Sequence, residues 1–361
     1  MSGADPSAQP PRQRSLSTRN IVVLVTAVVV IVAIAALNLI HVPVAILRPG
    51  PVTNTLGKVD GKPVIEVQGA NTYPTSGSLD FTTVSMAGGP QYPVSVMEWI
   101  RAKLDDQAQI DPEDRWFPKG ITSQQVQQQN TAEMTNSQQT AEVVAMRAAG
   151  VKVPETITVA QLQAGAAAEG RLKQGDTLVK VNGVTVQNLQ SVADAMRTVK
   201  AGSTVAVTVS RGGKQQQLQV PTAAGDGGRA VFGIAITPKY TFPYQVKVNA
   251  GDVGGPSAGT MFTLAIYDLI TPGPLTGGKK IAGTGTMSED GAVGPIGGIT
   301  QKMQGAKDAG AQFFLAPVSD CSDAKGNIPK GLTVVKVATF NDALTAVKQI
   351  GTGKTSGFPS C

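Results

Sequence analysis

The chain has 361 residues, with 31 Lys and Arg against 25 Asp and Glu for a formal charge of +6, and only 4% aromatic residues. That length suffices for two or three domains, and the dispersed charge and sparse aromatics argue against a nucleic-acid surface, which needs basic and aromatic side chains interleaved. The one histidine, His41, ends an apolar run; this excludes Ser/His/Asp and Cys/His catalysis and the His-Glu-x-x-His zinc site, so covalent chemistry here needs another base, for which lysine is the usual substitute.

Residues 1–20 are polar, rich in Pro, Ser and Gln, and carry Arg12, Arg14 and Arg19. This composition predicts a disordered tail. Ile21 to Ile40 is a run of 20 residues whose only polar members are Thr26 and Asn38. It is long enough to span a bilayer as a helix. The arginines before it and the scarcity of basic residues just after it place the N-terminus in the cytoplasm and the rest outside. Ala33-Ile34-Ala35 also fits a small-x-small cleavage site. The apolar run continues past that site, which favours an uncleaved anchor over a cleaved signal peptide.

Pro43 to Gly57 is rich in turn formers, with Arg48-Pro-Gly-Pro51 as a stiff exit. Val64 to Val67 and Leu79 to Met86 read as strands, and Pro93 to Leu104 as a helix. Asp105 to Gln139 is polar and glutamine-rich, a loop and then an exposed helix that continues through Glu142 to Ala149 and stops at Gly150.

Between Val151 and Pro221 the telling stretch runs Ala164-Gly-Ala-Ala-Ala-Glu-Gly-Arg-Leu-Lys-Gln-Gly175-Asp176, then Thr177 to Val181 and Asn182-Gly183. Gly175-Asp176 turns into a strand, and Asn182-Gly183 is a strong hairpin turn. Leu189 to Val199 has helical spacing, and Val205 to Ser210 with Gln215 to Val220 form a hairpin around Gly212-Gly213. This region, 150–224, resembles a bacterial PDZ domain. The resemblance implies that it adds a peptide as an extra strand and captures a terminal carboxylate in a backbone nest, for which Gly150-Val-Lys-Val153 is the nearest candidate. The plainer alternative is a structural spacer with a weak groove.

Asp226-Gly-Gly228 reads as a linker, and Ala230 to Ile236 and Gln245 to Val248 as strands leading to Gly251-Asp-Val-Gly-Gly-Pro-Ser257. After Ser257, the spacing of Met261, Leu264, Ala265 and Leu269 predicts a helix. Ser257 then lies at a helix N-terminus, where free amides and the positive dipole end favour an alkoxide or oxyanion. The amides near Gly254, Gly255 and Ser257 are candidates for an oxyanion hole. Taken alone, this segment is also what a serine-capped glycine turn looks like. Lys302 adds a second signal. Gly297-Gly298 is a turn, Thr300 is the expected N-cap, and Gly310 ends the helix. A lysine in the first turn meets the wrong end of the dipole, and burial among Ile296, Ile299 and Met303 lowers its amine further, toward the range of a base near neutrality.

Gly255-Pro-Ser-Ala-Gly259, and Pro295-Ile-Gly-Gly-Ile-Thr-Gln-Lys302 ending 45 positions after Ser257, together resemble the proteolytic domain of Lon-type serine proteases. The similarity spans roughly Tyr244 to Val347. It implies Ser257 as nucleophile and Lys302 as base, with Thr284 of Gly283-Thr-Gly285 supporting the lysine. The family's acid after Thr-Gly is Thr286 here. The acid three positions before the nucleophile is Gly254 here, with Asp252 two positions earlier. Such domains begin with strands like those of 43–149, so that stretch is expected to belong to the catalytic fold, with the PDZ-like region inserted.

Phe313 to Ala316 and Val334 to Val337 read as buried strands, and Thr339-Phe-Asn-Asp342 as a capping box for a last helix to about Ile350. Residues 351–361 form a tail. Cys321 and Cys361 are disulfide candidates outside the membrane, an even count in an oxidising compartment. Gly353-Lys-Thr355 is not a phosphate loop, because position 348 is lysine where a glycine belongs and a helix precedes it.

The expected fold is thus α+β: one N-terminal transmembrane helix and a Lon-type proteolytic domain (230–350) with an inserted or preceding PDZ domain. The expected function is ATP-independent serine endopeptidase activity outside the cytoplasmic membrane on peptides or flexible proteins, using no cofactor or metal. Protein substrates and the membrane are the expected partners, and the resemblance adds assembly into a ring. The alternative is a catalytically idle scaffold acting as a PDZ adaptor.

Overall fold

A computed structural model of the chain describes residues 17–251 and 253–361. Most of the expected tail, 1–16, and Asp252 lie outside the described residues. The helices are α1 (Thr18–Leu39), α2 (Val96–Lys103), α3 (Ser123–Ala148), α4 (Leu189–Met196), α5 (Gly259–Ile270), α6 (Ile299–Asp308), α7 (Cys321–Ala324) and α8 (Phe340–Gly351).

Helix α1 is capped by Ser17 and has no buried residue along its 22 positions. At 1.5 Å per residue it measures roughly 33 Å, enough to cross a hydrocarbon core. The chain leaving it is tied to the start of α2: Val96 N–H donates to the Ile40 carbonyl and Val42 N–H to the Val94 carbonyl, both over 2.9 Å.

One six-stranded sheet runs in the order Thr333–Val337, Phe313–Pro317, Lys280–Gly283, Ser78–Ala87, Val44–Asn54, Gln109–Pro112. The first four strands are mutually parallel, and the last two pairings are antiparallel. Strands from 44–112 and from 280–337 therefore share one sheet, although the whole PDZ-like region separates them in sequence. Phe313–Pro317 is buried along its full length because both faces are covered. Phe313 and Leu315 pack on the side of α5 and α8, while Phe314 and Ala316 pack on the side of α6. This explains a near-continuous apolar run where a one-sided strand would alternate.

Helix α3 follows the expected loop, is exposed over its first half as expected, and departs from the expectation in its second half, which is buried on one side. It runs unbroken for 26 residues, closed at its start by a Thr122/Gln125 capping box. Met134, Ser137, Ala141, Val144 and Ala145 recur at helical spacing and are buried, the apolar ones in the core shared with α5. Glutamines on the other faces hide this stripe when composition alone is read. At its C-terminus Gly150 N–H donates to the Arg147 carbonyl and Val151 N–H to the Met146 carbonyl. That is a Schellman cap. It corrects the expectation for the first half of Gly150–Val153: the Gly150 and Val151 amides finish a helix and are not open to a peptide carboxylate.

A second sheet runs in the order Lys214–Pro221, Thr204–Arg211, Thr177–Val181, Glu155–Leu162, Ile234–Tyr240, with Val184–Thr185 paired to Thr177–Val181. Its core holds Ile157, Val159, Leu172, Leu178 and Val207, with α4 supplying Val192 and Ala195. The buried Asp176 receives two bonds from Arg211, Nε and Nη2 each at 2.7 Å. Ile234–Tyr240 is a correction to the strand expected to lead into the catalytic domain. It pairs antiparallel with Glu155–Leu162, because Phe232, Ile234 and Ile236 find their apolar partners in this core. Gln245–Val248 then pairs with Ile65–Gln68 and carries the chain to the Ser257 loop.

Candidate active site

Ser257 approaches on the α5 side of the first sheet and Lys302 projects from α6 on the other. They meet beyond the end of the Lys280–Gly283 strand, where parallel strands leave their carboxyl ends open. Lys302 Nζ lies 2.7 Å from Ser257 Oγ and 3.0 Å from Thr284 Oγ1. Thr284 also donates to the Ser257 carbonyl over 3.0 Å, and Gly285 N–H donates to the same oxygen over 2.8 Å. One threonine thus locates both the lysine and the backbone of the serine. The structure brings Ser257, Lys302 and Thr284 together.

Lys302 is 3% exposed. Burial pulls its amine down to about 7, and the Asp320 carboxylate opposes the fall. At neutral pH a large fraction is therefore uncharged and able to accept a proton. The N-cap of α6 is Gly298 in the left-handed region (φ +69°), not Thr300, which sits inside the first turn. A side chain on Gly298 would strain this backbone and meet Val84, its Cβ 2.7 Å from Cγ2.

The oxyanion expectation needs one correction. Gly255 N–H donates to the Asn130 carbonyl on α3 over 3.2 Å, which removes it as a donor in this arrangement. Gly255 holds φ +83°, and a Cβ on Gly254 would lie 2.8 Å from Asn130 Cβ. That contact leaves no room for the acid usual at position 254. Thr286 forms a short antiparallel pair with Gly294 and lines the cleft.

The cleft beside Ser257 has a volume of about 1140 Å³. Leu47, Val84, Met86, Trp116, Phe117 and Ile296 give it apolar walls. Trp116 is held by its indole N–H on Asp111 Oδ2 over 2.9 Å. A Cβ on Gly297 would lie 2.6 Å from Trp116 Cη2, so glycine there seats the ring. His41, bridged to Ser95 at the exit of α1, does not line the cleft.

Sequence reading missed Asn130 and Ser137, which hold the nucleophile loop from α3, and Asp320, a buried carboxylate on the lysine side. The helical stripe through Met134, Ser137 and Ala141 was the available signal for α3. Cys321 and Cys361 are bonded to each other.

Comparison with known proteins identifies two domains in the chain. Residues 242–349 match the family model of the Lon protease (S16) C-terminal proteolytic domain, and residues 122–222 match a PDZ domain model. A Lon protease of Clostridium beijerinckii is 36% identical over 105 residues, 28% of this chain and 13% of that protein. A Lon protease of Rickettsia bellii is 32% identical over 120 residues, 32% of this chain and 15% of that protein. The chain thus matches only a small part of the length of these curated relatives. The PDZ domain of an SdrC-like protein of Listeria innocua aligns at 24% identity over 22% of this chain and 92% of that one, with a TM-score of 0.21. The chain carries a Lon-type proteolytic domain together with a PDZ domain.

Proposed function

We propose that the chain is a membrane-anchored, ATP-independent serine endopeptidase that works through Ser257 and Lys302. The observation carrying this reading is the 2.7 Å approach of a buried lysine, poised near 7, to a serine at the mouth of a large cleft. Ser257 Oγ attacks the scissile carbonyl while its proton passes to Lys302 Nζ. The ammonium returns the proton to the leaving amine, and water activated by the same lysine releases the acyl group. The cleft suits an extended or unfolded segment.

The PDZ domain recruits substrate. Among the described residues its outer strand Ile234–Tyr240 is paired on one side only, and it is entered through Phe232-Gly233. Such an edge is where a peptide adds as a further strand. The length and apolar composition of α1, with basic residues before it, support an anchor that keeps the catalytic domain outside the cytoplasm.

The test is covalent labelling of Ser257 by a fluorophosphonate and cleavage of an unstructured peptide, with Ser257→Ala and Lys302→Ala as controls. Labelling and cleavage by the parent and neither by the variants is the expected result. Equal activity in all three would remove the pair from the reaction. An inert parent would favour the idle PDZ adaptor.

A further inference from the structure

Asp320 is a buried carboxylate that the proposed reaction leaves unused. It directly precedes α7, a position where an aspartate ordinarily accepts from the first amides of the turn. Here it makes no side-chain cap bond. Its two oxygens instead face the Ile296 N–H, at 3.3 Å and 3.2 Å. Ile296 lies in the turn that delivers α6, six positions before Lys302, and lines the cleft.

The backbone carrying Asp320 is held on both sides. The strand Phe313–Pro317 that precedes it lies between two parallel neighbours, and Cys321 after it is bonded to Cys361. The carboxylate therefore has a fixed place on the lysine side of the cleft. Through Ile296 the carboxylate sits against the turn that opens the lysine's helix, and its charge opposes the fall that burial imposes on the Lys302 amine. Burial raises the Asp320 carboxyl, the Ile296 N–H lowers it, and the exposed Asp323, Ser319 and Lys302 add smaller effects.

We propose that Asp320 is a positioning residue for the reaction at Ser257: it fixes the Pro295–Gly298 turn through the Ile296 N–H, and its negative charge stabilises the ammonium that Lys302 becomes between its two proton transfers. The inference rests on the Ser257/Lys302 reading given above. As the Oγ–C bond forms, the carbonyl π pair moves to oxygen and the hydroxyl proton moves to Nζ, which becomes a cation among apolar side chains. When the C–N bond breaks, that proton leaves with the amine nitrogen and Nζ is neutral again. The cation exists only in the middle of the sequence. A carboxylate already in place stabilises it there without stabilising the resting neutral pair, which is the condition for acceleration.

Asp320→Asn separates the two roles, because it keeps an oxygen acceptor for Ile296 N–H and removes the charge. The full chain, with lysine labelled by ¹³C at Cε, is titrated by NMR, with the Lys302 signal assigned by its absence in Lys302→Met. The same proteins are assayed for kcat/KM against pH on a peptide. In Asp320→Asn the Lys302 midpoint is expected to fall by about one unit, the loss of one nearby opposite charge. The acid limb of kcat/KM should move down by the same amount, the plateau should drop, and KM should stay close to that of the parent. Asp320→Glu should hold the midpoint near the parent value. An unchanged Lys302 midpoint in Asp320→Asn overturns the proposal, as does a loss of activity in Asp320→Ala that Asp320→Asn does not share in any part. Full activity in Ser257→Ala or Lys302→Met would instead overturn the dyad, and the lysine titration would still report separately on Asp320.

Discussion

Ser137 on α3 donates its hydroxyl hydrogen to the Pro256 carbonyl over 3.0 Å, joining residues 119 positions apart in sequence. The bond ties the half-buried helix α3 to the residue before the nucleophile, and the Gly255 N–H to Asn130 bond does the same one residue earlier. The loop carrying Ser257 thus gains its shape from α3 as well as from its own glycines. Ser137→Ala is expected to cost about 1 kcal/mol of stability. Its effect on chemistry should be larger, a drop of roughly tenfold or more in kcat, because a loosened loop misplaces the attacking oxygen. Thermal unfolding and peptide kinetics on the same preparation check both parts.

The Lys302 amine, held down to about 7 by burial, fixes two pH dependences. Activity needs the neutral amine, so kcat/KM should rise with pH through about 7. Stability follows by linkage. The unfolded chain holds the Lys302 proton up to about 10.5 and the folded chain releases it near 7, so between these values the unfolded state binds more protons and stability rises with pH. Below 7 the folded state carries the full penalty of a buried cation. Lys302→Met removes that penalty and should stabilise the protein at neutral pH by roughly 2–4 kcal/mol while abolishing cleavage. Melting temperatures of parent and variant from pH 6 to 10 test this, and the gap should close as pH rises.

Local signals made part of this architecture legible. Gly255–Gly259 and Pro295–Lys302 are contiguous motifs, and their juxtaposition in space follows from two turns that each open a helix. The apolar runs at Phe313 and Val334 revealed strands covered on both faces. What stayed hidden depends on partners distant in sequence. The alternation in Ile234–Tyr240 announces a strand but not which sheet takes it. Gly150 reads both as the stop of a helix and as the start of a carboxylate nest until its N–H is seen to donate to the Arg147 carbonyl, with Val151 N–H on Met146. Asp320 belongs to no sequence motif, and only the fold turns it inward onto Ile296.

Trp116 stands against Gly297 and forms part of the cleft wall, its indole N–H held by Asp111. With Met86, Val84 and Ile296 it offers an apolar surface beside Ser257. Trp116→Ala should lower kcat/KM for peptides with a bulky apolar residue at the scissile bond by about 10–100-fold, the range for losing a large apolar contact. Peptides with alanine there should be affected much less. Competition between the two peptide series in one reaction measures the ratio directly.

The Cys321–Cys361 bond closes a loop across a sequence separation of 40 and holds the tail on the outer strand, where Lys336 N–H donates to the Pro359 carbonyl over 2.9 Å. Phe358 packs on the core beside Phe313. Loop-closure entropy for that length gives about 4 kcal/mol. Cys361→Ser should lose most of this in denaturant melts, and reductant should lower the parent to the same curve without changing the variant.

Gly233 controls the entrance to the free edge of the PDZ sheet. It holds φ +74°, its carbonyl accepts from Gln163 N–H over 2.9 Å, and a Cβ there would lie 2.9 Å from Ala166 Cβ. A β-branched side chain at a positive φ is strained, and the clash with Ala166 adds to it. Gly233→Val should therefore distort the turn into Ile234–Tyr240 and weaken strand addition along that edge. If this edge recruits substrate, cleavage of a long unfolded protein should fall several-fold, because it must be held while a segment finds the cleft. A short fluorogenic peptide that reaches Ser257 by diffusion should be cut at nearly the parental rate. Equal losses on both substrates would point to damage transmitted through Gln245–Val248 to the nucleophile loop and not to lost recruitment.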